Sequence, residues 1–578
     1  ILYVLGVGLY RSTDGGKTFR ADAGRETHAD HHAMWIDPRD PRHILLGNDG
    51  GIYQTYDRAA NWDHFNTKAI GQFYHVAVDP RRDYRVYGGL QDNGSWGGPM
   101  RVASDSGSIN ADWFRVGGGD GFRIAIDPTD PDLIYYTSQN GAMGRRNLRT
   151  GEGGSIRPTP TQRGQRFRFN WNTPFLLSNQ NPRIFYAAGN YVFRSINQGR
   201  DLRIISPEIT RTDRGSATAL SESPRDPNVL YVGTDDGNLW VTRDGGANWS
   251  EISKNVHLPG PYWVASLEAS RAEAGRVYAC FDAHRSNDDK PYIYVSEDYG
   301  QTWTCLNANL PTFGSTRVLR EDLANPEVLY LGTEFGVWTS VTRGGSWTRI
   351  NNNLPTVAVH ELAQHPTSGE LIAATHGRSI WAGEIAAIRQ VKPETLQAKA
   401  TLFEPVAGVR WRSAPSRGDT NRRFVAQNPP SGTAISYALT ERADKISLQI
   451  FDYEGKLVRT LPTRREPGLH RVPWDLARNP QSRPGAVSTG QTGGRSRGGS
   501  FGSRVPASEG TYKVVLNVDG AELTTGVRVL PDPSIPVSEA FAELGVVTEE
   551  EEFQSFEDGM FEEEEEEENA QRGDLIEL

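Results

Sequence analysis

Three imidazoles and a carboxylate fall within five residues at His28-Ala-Asp-His-His32. These are the donor types of a metal site. An extended strand, however, sends adjacent His31 and His32 to opposite faces, so it cannot offer both to one ion. No metal is expected, and these histidines are read as hydrogen-bonding groups. Asp120 is the second candidate. It sits in Gly117-Gly-Gly-Asp-Gly121, either locking a glycine-rich turn or serving as one half of an acid–base pair. Its partner would be Asp30, Asp49, Asp92 or Glu361, at a distance no sequence can set. Tyr74, Trp96, Trp171, Tyr262 and Trp263 are aromatic platforms for sugar rings or peptide side chains, or else core packing. A P-loop, dinucleotide fingerprint, nucleophile elbow and zinc-type cysteine pairing are all lacking, so no cofactor is expected.

Positioning these residues falls to a repeated unit. Ser12-Thr-Asp14-Gly-Gly-Lys-Thr-Phe19 recurs as Thr242-Arg-Asp244-Gly-Gly-Ala-Asn-Trp249 and Ser296-Glu-Asp298-Tyr-Gly-Gln-Thr-Trp303, with degenerate copies at 55–62, 195–199 and 340–347. The aspartate can accept from the turn's amides while the glycines allow positive φ, so the box is structural. Its spacing of 43 to 54 residues suits one four-stranded blade per repeat. Short apolar strands closed by Asp-Pro at 34–38, 75–80 and 123–128 have weaker equivalents at 175–177, 217–221, 264–267, 317–319 and 360–363. The expected fold is all-β: a β-propeller of seven or eight blades over 20–388, with 1–19 the end of an upstream blade. The last unit lacks an obvious fourth strand. First strands line a propeller's channel, so the residues entering them should meet at one rim: Asp30, His31, His32, Tyr74, His75, Asp120, Trp171, Trp263, Arg317, His360 and Glu361.

Beyond this the period stops. Residues 389–432 read as an irregular connector and 433–531 as a small Ig-like β-sandwich. A disordered insert at 477–508 carries five arginines and no acid. Residues 532–578 form an acidic tail expected to be disordered. Residues 534–578 hold 17 acidic residues against Arg572, so residues 1–533 carry a net +6 within a chain of net −10. That charge is spread without a basic stripe, so nucleic acid is not an expected partner. The tail invites a basic partner, either the arginine insert or another protein. Cys280 and Cys305 are expected as buried free thiols on the second and fourth strands of one sheet, too far apart to bridge. No run approaches the ~18 apolar residues of a spanning helix. Ile1 opens inside a strand-like run, which reads as a fragment or processed form.

Longer phrases carry a resemblance. Gly71-Gln-Phe-Tyr-His-Val-Ala-Val-Asp79, Tyr84-Arg-Val-Tyr-Gly-Gly-Leu-Gln-Asp-Asn-Gly94, Leu46-Gly-Asn-Asp-Gly-Gly51 and Ala374-Thr-His-Gly-Arg-Ser-Ile-Trp381 resemble the bacterial sortilin-like Asp-box (BNR) repeat propeller proteins. These are often labelled glycosyl hydrolases. The match covers residues 1–388, and the trailing module is similar to the Ig-like module of flagellar hook-capping proteins. The resemblance implies an extracytoplasmic protein, periplasmic, cell-surface or secreted. It implies two functions. One is a binding or scaffolding protein holding a peptide, protein or glycan at the propeller rim, favoured because every repeated acid has a structural task. The other is a glycoside hydrolase acting on β-glucan or xyloglucan-type oligosaccharides through paired rim carboxylates. For that reading, the Gly-Asp phrase at Asp120 is similar to the segment holding the acid in xyloglucan-active hydrolases. Nothing marks the arginine triad of a sialidase.

Overall fold

A computed structural model describes residues 1–418, 424–479 and 505–534. The body of the arginine insert and nearly all of the acidic tail lie outside the described residues. The expected all-β propeller is what the chain builds. Seven antiparallel sheets run in order from residue 73 to residue 384, six of four strands and the last of three. Their first strands are Phe73–Val78, Ile124–Ile126, Phe175–Leu177, Ala217–Glu222, Trp263–Ala269, Thr316–Glu321 and Val359–Gln364.

The apolar alternation of each strand leaves both faces of a blade seeking a neighbour, and each finds one. Tyr87 and Val116 of the first blade pack on Ile124 and Ile134 of the second. Comparable clusters join each later pair, ending with Val318 and Tyr330 against Val359 and Leu371. Phe73, Val76 and Val86 then pack on Ile372 and Ala374, so the seventh blade closes directly on the first. Tyr84 donates to Glu370 at 2.9 Å across the same joint. No fourth strand completes the last blade among the described residues; Gln72 instead bridges to His376.

The ring therefore begins at Phe73 rather than near residue 20. The sheet starting with His31–Ile36 has its partner elsewhere: Leu46, Tyr53 and Ala59 pack on Leu9 and Ala23, beside the hairpin Leu2–Leu5 and Leu9–Ser12. Which apolar face meets which decides membership of a ring, and a repeat count alone cannot show that.

The boxes lock turns as their chemistry requires. Asp14 accepts from Ser12 Oγ at 2.8 Å and from the Thr18 amide at 3.0 Å, while Gly15 and Gly16 take φ of 76° and 92°. Two box tryptophans of the ring then reach back one blade, while Trp303 bonds to Gly300 of its own box. Trp249 Nε1 donates to the Ile205 carbonyl, and Trp347, 2% exposed, donates to the Leu306 carbonyl at 2.8 Å. Trp347→Ala should cost about 3–5 kcal/mol, from the cavity and the stranded carbonyl together. Urea denaturation checks this, and a loss below about 1 kcal/mol would show that the joint does not depend on it.

The stretch read as an irregular connector is more ordered than expected. It forms two short helices, Ala386–Arg389 and Pro393–Gln397, and two strands, Ala400–Leu402 and Gly408–Arg410. Both strands enter the C-terminal module, one in a three-stranded sheet and one in a five-stranded sheet. The two sheets enclose a core that includes Ile435, Tyr437, Trp474 and Leu516. The connector also runs along a long loop of the first blade. Arg417 pairs with Asp112 at 2.7 Å, and Ser104 and Ile109 bridge to Ala414 and Val425. Of the thiols, Cys280 is buried but Cys305 is exposed. The fourth strand of a blade, only Thr304–Cys305 here, lies at the outer edge, where one face meets solvent.

Candidate functional site

One local irregularity aims the rim residues. In five of the seven first strands of the ring the pairing register slips near the start, leaving one extra residue. Those extra residues include Tyr74, Arg317 and His360; the sheet beside the ring bulges in the same way at His32. A bulge re-aims a side chain out of strict alternation. Here it turns the residue toward the channel mouth while its neighbour faces the core.

At that mouth the aromatic groups are contiguous. Tyr74 lies 4.7 Å from Phe122 and 5.5 Å from His376 between centroids, and His376 stacks on His360 at 4.5 Å. Phe122 meets Trp171 edge-on at 6.5 Å, and Trp171 is 49% exposed. Burial, with Arg317 and His376 adding, holds the His360 imidazole well below its ordinary range. Burial and the nearby Asp120 and Asp92 push the Tyr74 phenol up to about 12. Arg317 is held by Asp282 and by Glu334, the latter at 2.7 Å. Arg285 lies over the Trp263 ring at 4.6 Å.

Carboxyls gather where this mouth meets the sheet beside the ring. Asp120, 4% exposed, accepts from the Asp92 amide at 2.8 Å and from Trp171 Nε1 at 2.9 Å. The glycines around it permit the approach of two chain segments: a Cβ on Gly121 would strike the Gly94 carbonyl, and one on Gly89 the Phe122 carbonyl. Asp92 itself has φ of 59°, an uncommon strain for a residue with a side chain. Its carboxyl lies beside those of Asp49 and Asp120. Burial, with those two charges adding, pushes it up to about 6. Asp49 comes from the neighbouring sheet, where His32 Nε2 meets it at 2.9 Å. Asn93 Nδ2 donates to the Asp49 carbonyl at 3.0 Å, and His28 Nε2 contacts the Asp92 carbonyl oxygen at 3.2 Å. The seam is thus polar throughout, and no apolar cluster spans it among the described residues.

Other rim candidates go elsewhere. His31 is buried within its own sheet, with Nδ1 3.4 Å from Asn48. Asp30 takes φ of 61° in the turn before it. His75 and Glu361 lie inside the channel: His75 Nδ1 donates to Glu361 at 3.0 Å, and Asn172 Nδ2 to His75 Nε2 at 2.9 Å. Arg320 reaches Glu361 at 2.6 Å and Glu268 at 3.2 Å. Burial alone would raise the Glu361 carboxyl, but Arg320, His75 and Arg123 outweigh it and hold it at about 2. Glu268 is pushed up to about 7, with burial exceeding the pull of Arg320. Sequence reasoning missed Arg123, Glu268 and Arg320. The signal was available: a charged residue within a strand otherwise buried on every side has to face the channel.

No family model matches the chain. Xyloglucanase Xgh74A of Acetivibrio thermocellus is 25% identical over 296 residues, 42% of this chain and 35% of that enzyme. A Paenibacillus xyloglucanase is 26% identical over 273 residues, covering 40% and 22%. The Hypocrea jecorina xyloglucanase is 26% identical over 283 residues, covering 46% and 27%. The chain therefore spans about a third or less of the length of these relatives. Among solved structures, a Niastella koreensis GH74 enzyme aligns with a TM-score of 0.27 at 14% identity, over 65% of this chain and 70% of that one. The β-propeller domain of Myceliophteria thermophila Cps50 (Swd1) aligns with 0.38 at 14%, over 55% and 98%. Over less than half of its length, then, the chain is similar to xyloglucanases.

Proposed function

We propose that the protein is an extracytoplasmic carbohydrate-active propeller of glycoside-hydrolase type. A β-glucan of xyloglucan class lies across the polar seam, and Asp92 protonates the leaving oxygen. The observation carrying this is the Asp92 carboxyl, raised to about 6 between Asp49 and Asp120. A general acid works best when its pKa lies near the operating pH. A retaining pair of carboxyls stands ~5–5.5 Å apart and an inverting pair ~6.5–9.5 Å apart. Asp49 and Asp120 serve as the charges that keep Asp92 protonated, and the opposing base belongs across the sugar ring. Trp171, half exposed and tethered to Asp120, offers the ring face against which a glucosyl unit stacks. Similarity to three xyloglucanases supports the substrate class.

A second reading, binding without turnover, draws on Asp120, both of whose oxygens already accept protein donors. Incubation with xyloglucan and β-glucan oligosaccharides, followed by reducing-end measurement, decides between them. Release of reducing ends supports the hydrolase. Saturable binding of the same oligosaccharides with no release would establish a holding protein instead.

A further inference from the structure

Below the mouth, the channel widens into a cavity of about 170 Å³, lined by Arg123, Arg271, Arg320, Glu268, Ser221 and Asn179 among others. Most of its polar groups are committed. Arg320 serves Glu361 and Glu268. The Glu222 carboxylate, also at the wall, accepts from Ser178 Oγ at 2.7 Å and the Asn179 amide at 2.5 Å. Arg123 is different. Its guanidinium donates to no protein acceptor among the described residues, and its Nε is buried without a partner. Burial, with Arg320 adding, lowers it to about 10 against the pull of Glu361. A half-buried cation whose Nε is shut away from both solvent and protein acceptors is costly unless an anion meets it.

The wall supplies three guanidinium groups and the Glu222 and Glu268 carboxyls, and Glu361 meets Arg320 from behind. That leaves Arg123 as a guanidinium with no carboxylate in contact among the described residues. We propose that this cavity binds a small monocarboxylate through the Arg123 guanidinium fork. The planar fork matches a carboxylate edge with two parallel hydrogen bonds. An uncommitted guanidinium fork, with the Glu268 and Glu222 carboxyls at the same wall, favours a monoanion over a phosphate dianion. The volume sets the size: a cavity of about 150 Å³ takes a molecule as large as benzene, so the ligand has roughly six heavy atoms. Glu268 faces Arg320, Arg271, Glu321 and Glu361, and His75 stands behind Glu361. An arriving anion favours the protonated form of Glu268, so binding takes up a proton and strengthens from pH 8 to pH 6.

Titration calorimetry of the full chain in chloride buffer, with acetate, lactate and inorganic phosphate as probes, tests this. Expected is saturable binding of acetate or lactate, tighter at pH 6 than at pH 8. Arg123→Met should weaken it about 10- to 100-fold, the effect of losing charge-assisted hydrogen bonds. In the same chloride buffer without carboxylate that variant should lose little stability, because no protein hydrogen bond is removed and Glu361 keeps both Arg320 and His75. Arg123→Lys keeps the charge without the fork and should also bind more weakly. No saturable heat, tighter binding of phosphate than of either carboxylate, or unchanged affinity in Arg123→Met would overturn the proposal.

Discussion

Asp92→Asn should abolish most glucan turnover, a fall of about 10²- to 10⁴-fold in kcat, the usual contribution of a positioned acid. The amide has nearly the shape of the carboxyl and leaves the backbone hydrogen bond from Asp92 to Asp120 in place. It also removes one of three crowded acids, so the thermal midpoint should hold or rise. Loss of activity without loss of stability separates a chemical role from a structural one. The pH profile gives an independent readout. A carboxyl raised from 3.8 to about 6 binds more protons in the folded state than in the unfolded one. Its contribution to the seam is complete below about pH 4 and disappears as pH rises through 6. The acid needed for catalysis is lost over the same limb, so kcat should fall above about pH 6 in the parent. Residual activity of Asp92→Asn should be flat there. A variant with parental turnover would end the acid assignment.

Arg320→Met should produce the largest stability loss of any single substitution in the channel, about 3–5 kcal/mol. Arg320 is the cation shared by Glu361 and Glu268, whose side chains are 7% and 20% exposed. Without it, Glu361 retains the hydrogen bonds from His75 and the Leu362 amide and the more distant Arg123, but no cation in contact. The deletion acts at three blades at once, since Glu268, Arg320 and Glu361 lie on successive first strands. Adding Glu361→Gln to Arg320→Met should recover part of the loss, because Glu268 is then the one carboxyl of the pair left without its cation. Equilibrium unfolding in urea measures both. A single variant within about 1 kcal/mol of the parent would mean that solvent in the channel replaces the guanidinium.

The blades were legible in the sequence because each repeats a local rule. Asp14, Asp244 and Asp298 sit in turns whose glycines and hydroxyl residues announce them. The strands that end in an aspartate and a proline alternate visibly, with Asp37 before Pro38 as one such stop. Ring membership was not legible, because it depends on the apolar faces of Phe73 and Ile372, 299 positions apart in the chain, finding one another. The mouth was legible in part. Tyr74, Asp120, Trp171 and His360 meet there, but His75 and Glu361 descend into the channel and His31 turns into its own sheet. Strict alternation puts Tyr74 and His75 on opposite faces, and the bulge between Phe73 and His75 resets that alternation. A one-residue slip of this kind leaves no mark in composition or period. Asp92 was legible only as one possible partner of Asp120, since its role rests on Asp49 arriving from another sheet.

Closure of the ring between its first and last blades also dictates an order of events during synthesis. His75 bonds to Glu361 across 286 positions, and Tyr84 to Glu370 across another 286. Until the seventh blade has left the ribosome, the first presents Phe73, Val76 and Val86 to water with nothing to cover them. Contacts of such long separation form slowly, because loop-closure entropy is lost before they reward it. The nascent chain therefore passes through an open arc with a sticky edge at each end, the stage at which this fold is most exposed to intermolecular capture. Heat-shock chaperones that shield extended apolar edges should act on this arc, and their demand should cease once residue 384 emerges.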